Sequence, residues 1–463
     1  MIMKRQNRVA FFNILSVVLL NGISLITAPL FSRILGDSGY GILKIYNIWA
    51  SVIAIVFTLQ TEGTLVNARV EYPESQQKRY QSATMGMSAL LFLLCSGVMV
   101  LFLQPISNLL KLEPFLILLM LVQAFGTYCV NFLSTKYTYE FKAGRNMLIS
   151  LAVTVMTLVL SLVLILQMEH EVRYYGRAIA ISATYGLIGI PACIMILLQG
   201  KSLYNKEYWK FCVALAIPAV FHNLSDLVLG QSDQVMLQQM LGDATVGHYA
   251  LAWTFGNFLF IIFGALNRTW CPFFFEEMKE GKQMAMMDKT RNFLELFTIL
   301  ACGFILLTPE VYHVYASREY WSSTMVIPLF VASYYLNFLC TFPVNFEYYH
   351  KKTKVVAAVT ISSSLLNVAL NYVLIHAIGM PGAALATALA HGVQLCMHHF
   401  YCKKLGKGSY PFPVKVWTKY AVFFFGVMAF VYITQNSWLL RWGVGALLGI
   451  FELLQIKKRK VLI

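Results

Sequence analysis

Charge is scarce in this chain of 463 residues. Only 12% of its residues are Asp, Glu, Lys or Arg, about half the share of a soluble globular protein. That scarcity excludes an ordinary soluble fold. Catalytic signatures are missing too: no Ser/His/Asp arrangement, no Walker loop and no G-x-G-x-x-G after a strand is found. The nine cysteines include no C-x-x-C pair, so they define neither a disulfide framework nor a redox motif. No enzyme activity and no cofactor are expected. The apolar segments are continuous rather than alternating, which argues against a β-barrel.

What is present is apolar residue in long runs: 58% of the chain is hydrophobic and its mean hydropathy is +0.65. Roughly 14 stretches approach the ~20 residues that cross the hydrocarbon core as a helix. They are placed near 9–31, 41–66, 81–103, 114–135, 147–167, 176–199, 211–235, 246–267, 292–315, 323–344, 355–377, 382–402, 416–433 and 438–455. The fold class expected is an all-α integral membrane protein. The basic start could be mistaken for a signal peptide, but its apolar run is too long and lacks a small-residue cleavage site, so it is read as the first span. External loops of about ten residues or fewer leave no room for a soluble catalytic domain.

The charges that remain are unevenly placed. About 27 of the 36 basic residues fall at the N-terminus, after even-numbered spans and in the tail, whereas about four (Lys111, Arg173, Arg177 and Arg318) fall on the other side. By the positive-inside rule both termini are expected in the cytoplasm of a cell-membrane protein. The net charge of +15 is thus mostly topology. It makes a weak case for nucleic acid, since no aromatic-interleaved basic patch accompanies it.

The chain also repeats itself. Leu35, Gly36, Asp37 and Gly41 recur as Leu241, Gly242, Asp243 and Gly247, an offset of 206 residues (35 to 241). In the same register Tyr128, Asn131, Phe132 and Leu133 recur as Tyr334, Asn337, Phe338 and Leu339, and Gly176, Ala178, Ala180 and Gly186 recur as Gly382, Ala384, Ala386 and Gly392. Six spans separate equivalent points. Because six is even, the halves share one orientation and their pseudo-two-fold axis is expected along the membrane normal. The lobes are then 1–205 and 206–405, and 406–463 adds two helices that have no partner in the repeat.

Polar residues inside spans are costly and tend to line cavities. In the seventh span His222, Asp226 and Asp233 fall at about 0°, 40° and 20° on a helical wheel, with Pro218 four residues before His222. Asn47, Ser51, Thr58 and Glu62 of the second span fall within about 60° of one another, as do Trp253, Asn257, Gly264 and Arg268 of the eighth. Asn13, Ser16, Ser24 and Thr27 add to the first. The repeat pairs Glu62 with Arg268 and Thr27 with Asp233. These stripes are expected to face each other between the lobes. The plainer reading is that Ser, Thr and Asn bond neighbouring helices while Glu62 and Arg268 reach the headgroups. A second cluster, Cys396, His398, His399 and Cys402, has the spacing of a metal site but no carboxylate nearby in sequence, so no metal is expected.

At these residues the chain resembles a known family. The run from Pro218 through His222 and Ser225, then Ser232 and Asp233, then Leu241 to Asp243, Gly247, Tyr249 and Ala252, and then Asn267, Trp270 and Pro272 looks like the second-lobe signature of Wzx-type polysaccharide flippases. Pro29, Leu30, Arg33, Leu35, Gly36, Gly39, Tyr40, Gly41 and Tyr46 are similar to that family's start. These proteins belong to the multidrug/oligosaccharidyl-lipid/polysaccharide exporter superfamily. Where the family often has a basic residue after the Asp of the seventh span, this chain has Gln234, so an Asp-Arg pair is not assumed.

The resemblance implies an alternating-access flippase that carries a polyprenyl-diphosphate-linked oligosaccharide outward for cell-surface polysaccharide synthesis. Partners implied are membrane lipid, a polysaccharide polymerase and glycosyltransferases. Arg268, Asn257, Trp253, His222, Asn47 and Glu62 are the expected substrate contacts. Asp226 and Asp233 are the expected proton or Na⁺ coupling sites. A multidrug cation antiporter of the same superfamily suits the two acids but not Arg268. A major-facilitator transporter lacks its usual loop in 67–80, and a membrane polymerase or glycosyltransferase lacks its external catalytic loop.

Overall fold

A computed structural model describes residues 2–140, 142–281, 283–406, 410, 412 and 414–459; side chains before Ile23, and that of Ser24, are outside the description. The expected polar positions Asn13, Ser16 and Ser24 therefore lie outside the described residues. Among those that are described there are helices and no strand.

In chain order the helices are α1 (Ile2–Thr58), α2 (Leu65–Glu71), α3 (Glu74–Leu101), α4 (Leu103–Leu110), α5 (Pro114–Tyr139), α6 (Ala143–Leu166), α7 (Arg173–Gly200) and α8 (Lys206–Leu241). They continue as α9 (Asp243–Glu280), α10 (Gln283–Tyr315), α11 (Ile327–Tyr349), α12 (Thr353–Ile378), α13 (Met380–Gly406), α14 (Val414–Ile433) and α15 (Trp438–Arg459). Twelve candidate membrane spans occur among the described residues. The other two of the roughly 14 expected fall on the start of α1 and on α13.

Helix α1 holds two expected spans, because at Gly36 (φ 72°, ψ 175°) the backbone leaves helical geometry and then resumes it. Its repeat counterpart Gly242 (φ 89°, ψ 174°) does the same between α8 and α9. An L side chain rarely adopts such angles, so the shared Leu-Gly-Asp motif marks one turn built twice. The second span ends at Thr58, short of the expected 66. Leu59 (φ 55°) and Gln60 (φ 42°) turn the chain into a 3-10 segment, Thr61–Thr64.

The chain divides into two compact units, Met1–Gln231 and Ser232–Ile463, with the boundary inside α8. In the first, α7 packs on α3, α5 and α6. A Cβ on Gly189 of α7 would lie 2.6 Å from the carbonyl oxygen of Gly126 on α5, so the two backbones touch where small residues allow it. Helices in lipid gain little from hydrophobic burial against one another; close packing and interhelical hydrogen bonds hold them. Such bonds join Thr61 Oγ1 to Tyr128 Oη (2.7 Å) and to Ser88 Oγ (2.8 Å), and Tyr46 Oη to Ser182 Oγ (2.8 Å).

In the second unit α13 packs against α11 and α12. A Cβ on Gly382 would fall 2.1 Å from the carbonyl oxygen of Leu374. The core is aromatic, with Phe297 and Phe338 rings 4.3 Å apart and Phe424 of α14 stacked on Tyr335 at 4.3 Å. The two C-terminal helices lie on α10. The Tyr420 hydroxyl donates to Glu295 (3.0 Å), and buried Arg441 pairs with Glu310.

Candidate functional site

In the first unit a cavity of about 500 Å³ opens between α1, α5, α6 and α7. Asn47 lines it. Its amide donates to the Leu43 carbonyl (2.7 Å), which turns its own oxygen toward the Gln123 amide nitrogen at 2.9 Å. Ser51 also lines the cavity and returns its hydroxyl to the Asn47 carbonyl at 2.9 Å. Arg177 of α7 is the one charged side chain among the described lining residues. It donates to Ser161 Oγ (2.7 Å), and its guanidinium carbon lies 3.8 Å from the Phe31 ring centroid, within cation–π range.

The expected stripe of Asn47, Ser51, Thr58 and Glu62 is not one helix face. Glu62 sits in the 3-10 segment beyond the turn at Leu59 and Gln60, and its Oε2 is buried without a hydrogen-bond partner. Thr58 spends its hydroxyl on the Ala54 carbonyl (2.6 Å) and the Gln60 amide (3.2 Å), which fastens that turn.

Helix α8 treats its two acids differently. His222 and Asp226 are exposed, with side chains 67% and 55% accessible, and lie 3.5 Å apart one turn from each other. Asp233 is buried, with 3% of its surface exposed. One of its carboxylate oxygens accepts from the Tyr249 hydroxyl, and the other accepts the Gln234 amide (2.8 Å). An amide and hydroxyl network lies beside it in the second unit. Ser232 donates to Asn367 Oδ1 (3.4 Å), Asn371 donates to the same oxygen (3.0 Å), and Asn367 donates to Thr387 (3.2 Å).

On α9, Trp253 and Asn257 are half-buried and Arg268 is exposed. No ion pair to Arg268 occurs among the described residues. It presents a free guanidinium, able to take a planar anion in two hydrogen bonds.

The Cys/His cluster closes on itself. Cys396 is exposed, while His398 and Cys402 are buried against Glu347 of α11, at 2.9 Å and 3.4 Å. A carboxylate absent from the local sequence thus arrives from a neighbouring helix. His399 instead meets Tyr410 (3.3 Å) and lies 5.1 Å from the Trp417 ring. No group of three or more His, Cys, Asp or Glu able to hold a metal occurs among the described residues.

The profile of the family described as "Polysaccharide biosynthesis protein" matches residues 8–278, more than half of the chain. The chain belongs to that family. A protein of the Lsg locus of Haemophilus influenzae is 22% identical over 351 residues, covering 74% of this chain and 84% of that protein. Among solved structures, the lipid II flippase MurJ in an inward closed conformation matches with a TM-score of 0.69 at 14% identity, covering 97% of this chain and 99% of that one. An inward-facing multidrug-resistance transporter of the MATE family matches at 0.63 and 13% identity, covering 85% and 96%.

This member of the polysaccharide biosynthesis family is thus a multi-pass membrane protein with the fold shared by MurJ and the MATE transporters. Those two solved structures are a flippase and a transporter. Two features of its interior escape a reading of the sequence. Arg177 stands one turn after Arg173 at a span boundary, so it counts there as an outer flanking charge, although the structure places it on a cavity wall. Asn367 and Asn371 show an i, i+4 pattern, but what gives them meaning is Ser232 on another helix.

Proposed function

We propose that this chain flips a polyprenyl-diphosphate-linked oligosaccharide from the cytoplasmic to the outer face of the cell membrane by alternating access, for synthesis of a surface polysaccharide. The family match over 8–278 is the observation that carries this reading. The chemistry supports it: the diphosphate head is anionic, and Arg268 is an exposed guanidinium with no carboxylate partner among the described residues. Trp253, Asn257, His222, Asn47 and Glu62 supply stacking and hydrogen bonding suited to sugars. The isoprenoid tail stays in lipid. Both termini face the cytoplasm, and the lobes 1–205 and 206–405 are the bodies that alternate. A glycosyltransferase supplies the head and a polymerase consumes it. Asp226 or Asp233 takes the driving proton or Na⁺, which shifts the balance between inward-open and outward-open states only by binding one of them better.

The test is flipping in vesicles that contain the purified protein and a fluorescent polyprenyl diphosphate bearing a neutral disaccharide. Protein-dependent exposure of the head to an impermeant quencher is expected. A rate equal to that of empty vesicles overturns the reading.

A further inference from the structure

We propose that the cavity inside the first unit binds an acidic sugar of the transported head, with Arg177 taking its carboxylate and Gln123 and Thr157 taking its hydroxyls. This rests on the flippase reading and names a substrate class for it. A cation turned from a span's edge toward the protein interior, rather than toward water, calls for compensation by polar partners or by an anion. No described carboxylate pairs with Arg177; its partners are the Ser161 hydroxyl at 2.7 Å and the face of Phe31 at 3.8 Å. Those two contacts occupy one N–H group and one face of the guanidinium, and Arg177 lines the cavity. A held guanidinium of that kind suits a carboxylate, which it meets with two parallel hydrogen bonds.

The neutral groups narrow the ligand further. Gln123 is only 6% exposed, and its Oε1 has no hydrogen-bond partner because Asn47 has oriented the amide the other way. That oxygen accepts and cannot donate, so a bare anion leaves it unsatisfied. Thr157, on the opposite helix of the same cavity, has a buried hydroxyl with no partner either. A ligand that satisfies all three groups carries one acid group and also hydroxyl donors. A single cation among neutral walls balances one negative charge, as on a carboxylated monosaccharide, better than the several charges of a diphosphate. The volume of about 500 Å³ lies within the range of small-molecule sites.

The internal repeat sharpens the point. At the register position of Arg177 the second half has Ala383, and at that of Thr27, which also lines the cavity, it has Asp233. The second unit's acid is met by the Tyr249 hydroxyl and a backbone amide. The first unit's base is held by a hydroxyl and an aromatic face. Two halves with a shared frame therefore carry opposite charge in their interiors, and the positive one lines a cavity beside the unpartnered polar atoms of Gln123 and Thr157.

The experiment titrates the purified, full-length protein in detergent with glucuronate, glucose and glycerol 3-phosphate, following ligand-dependent thermal stabilisation and heat of binding. Saturable glucuronate binding is expected, with glucose and glycerol 3-phosphate at least about tenfold weaker. Arg177→Gln should weaken glucuronate about tenfold or more, since hydrogen bonds to charged groups are worth ~1.5–3 kcal/mol; Arg177→Lys should fall between. If Arg177→Gln does not fold, Thr157→Val and Gln123→Met must each weaken glucuronate about threefold or more. No saturable binding, equal binding of glucose, equal binding of glycerol 3-phosphate (a lipid-headgroup chemistry), or variants that bind as wild type would each overturn the assignment. The flippase reading fails separately, by wild-type protein that does not move the neutral-sugar carrier.

Discussion

Two arginines near the membrane boundary should respond to truncation in opposite ways, and the contrast tests the assignment of Arg268. Arg441 is 1% exposed, donates to the carbonyls of Gln435 (2.6 Å) and Thr434, and pairs with Glu310, whose other oxygen accepts from Trp442 (3.1 Å). Its removal strands carbonyls and a carboxylate. Breaking a buried pair from one side costs ~3–5 kcal/mol, and the lower figure applies because Glu310 is 30% exposed. Arg268 has no described ion pair and an exposed side chain, so Arg268→Ala should change stability by no more than about 0.5 kcal/mol. Its loss should appear in transport instead.

If the fork holds a diphosphate in two charge-assisted bonds of ~1.5–3 kcal/mol each, their loss amounts to ~3–6 kcal/mol, or about 10²–10⁴ in affinity for the head. Arg268→Lys keeps a point charge but one bond at most, so about a tenth to a hundredth of the affinity should survive. The assay is surface-polymer export normalised to protein in the membrane, beside unfolding of each detergent-purified variant. Arg441→Ala should unfold more easily, and Arg268→Ala should be stable and silent. Wild-type export by Arg268→Ala at normal expression, or a stability loss equal to that of Arg441→Ala, would refute the reasoning.

Other outcomes follow from the same structure. Single cysteines at Ser38 and Thr245, in a background without native thiols, should react with an impermeant reagent from outside intact cells; reaction only after permeabilisation reverses the topology. In vesicles, wild-type flipping should respond to an imposed pH or Na⁺ gradient, and Asp226→Asn or Asp233→Asn should remove that response; indifference of the wild type, or both variants retaining the dependence, defeats the coupling role. Gly382→Ala should lower stability by roughly 1–3 kcal/mol, because its Cβ meets the Leu374 carbonyl oxygen at 2.1 Å. Gly392→Ala, whose nearest neighbour is a flexible Leu336 methyl at 3.8 Å, should be neutral or slightly stabilising by comparison. Equal behaviour of the two glycine variants in a detergent-unfolding titration would show that the α12 and α13 backbones are not in contact.

The repeat was legible in the sequence because it is written in local requirements. Gly36 and Gly242 serve one backbone turn, and Gly176 and Gly382 each stand where a Cβ would press on the preceding helix, at 3.1 Å from Ile165 N and 2.1 Å from Leu374 O. A helical wheel carries less, since it orders residues about an axis but cannot say what covers them. His222, Asp226 and Asp233 share a wheel face, yet Tyr249 on the next helix buries one acid and leaves the other in the open. Glu62 left its expected stripe because Leu59 and Gln60 adopt positive φ with neither glycine nor proline to announce it. Glu347 met His398 across 51 residues of chain, a separation no local pattern encodes.

Positions that set helix contacts agree across the 206-residue register: Tyr128 with Tyr334, Phe132 with Phe338, Gly176 with Gly382 and Gly200 with Gly406. Positions that line interiors do not: Thr27 faces Asp233 in register, Asn47 faces Trp253, Ser161 faces Asn367 and Arg177 faces Ala383. Packing tolerates little change where a Cβ would press on a neighbouring helix, as at Gly176, Gly200 and Gly382, although the Gly126–Gly189 crossing of the first unit reads Ala332 and Leu395 in register. Polar residues at a cavity are freer to change, and each change alters what the half can bind. Duplication therefore fixed the frame twice while the interiors parted, one keeping a base beside open space and the other an acid already held by a tyrosine. Under the proposed flippase function, the base-bearing interior suits an acidic sugar and the acid-bearing one suits the driving ion.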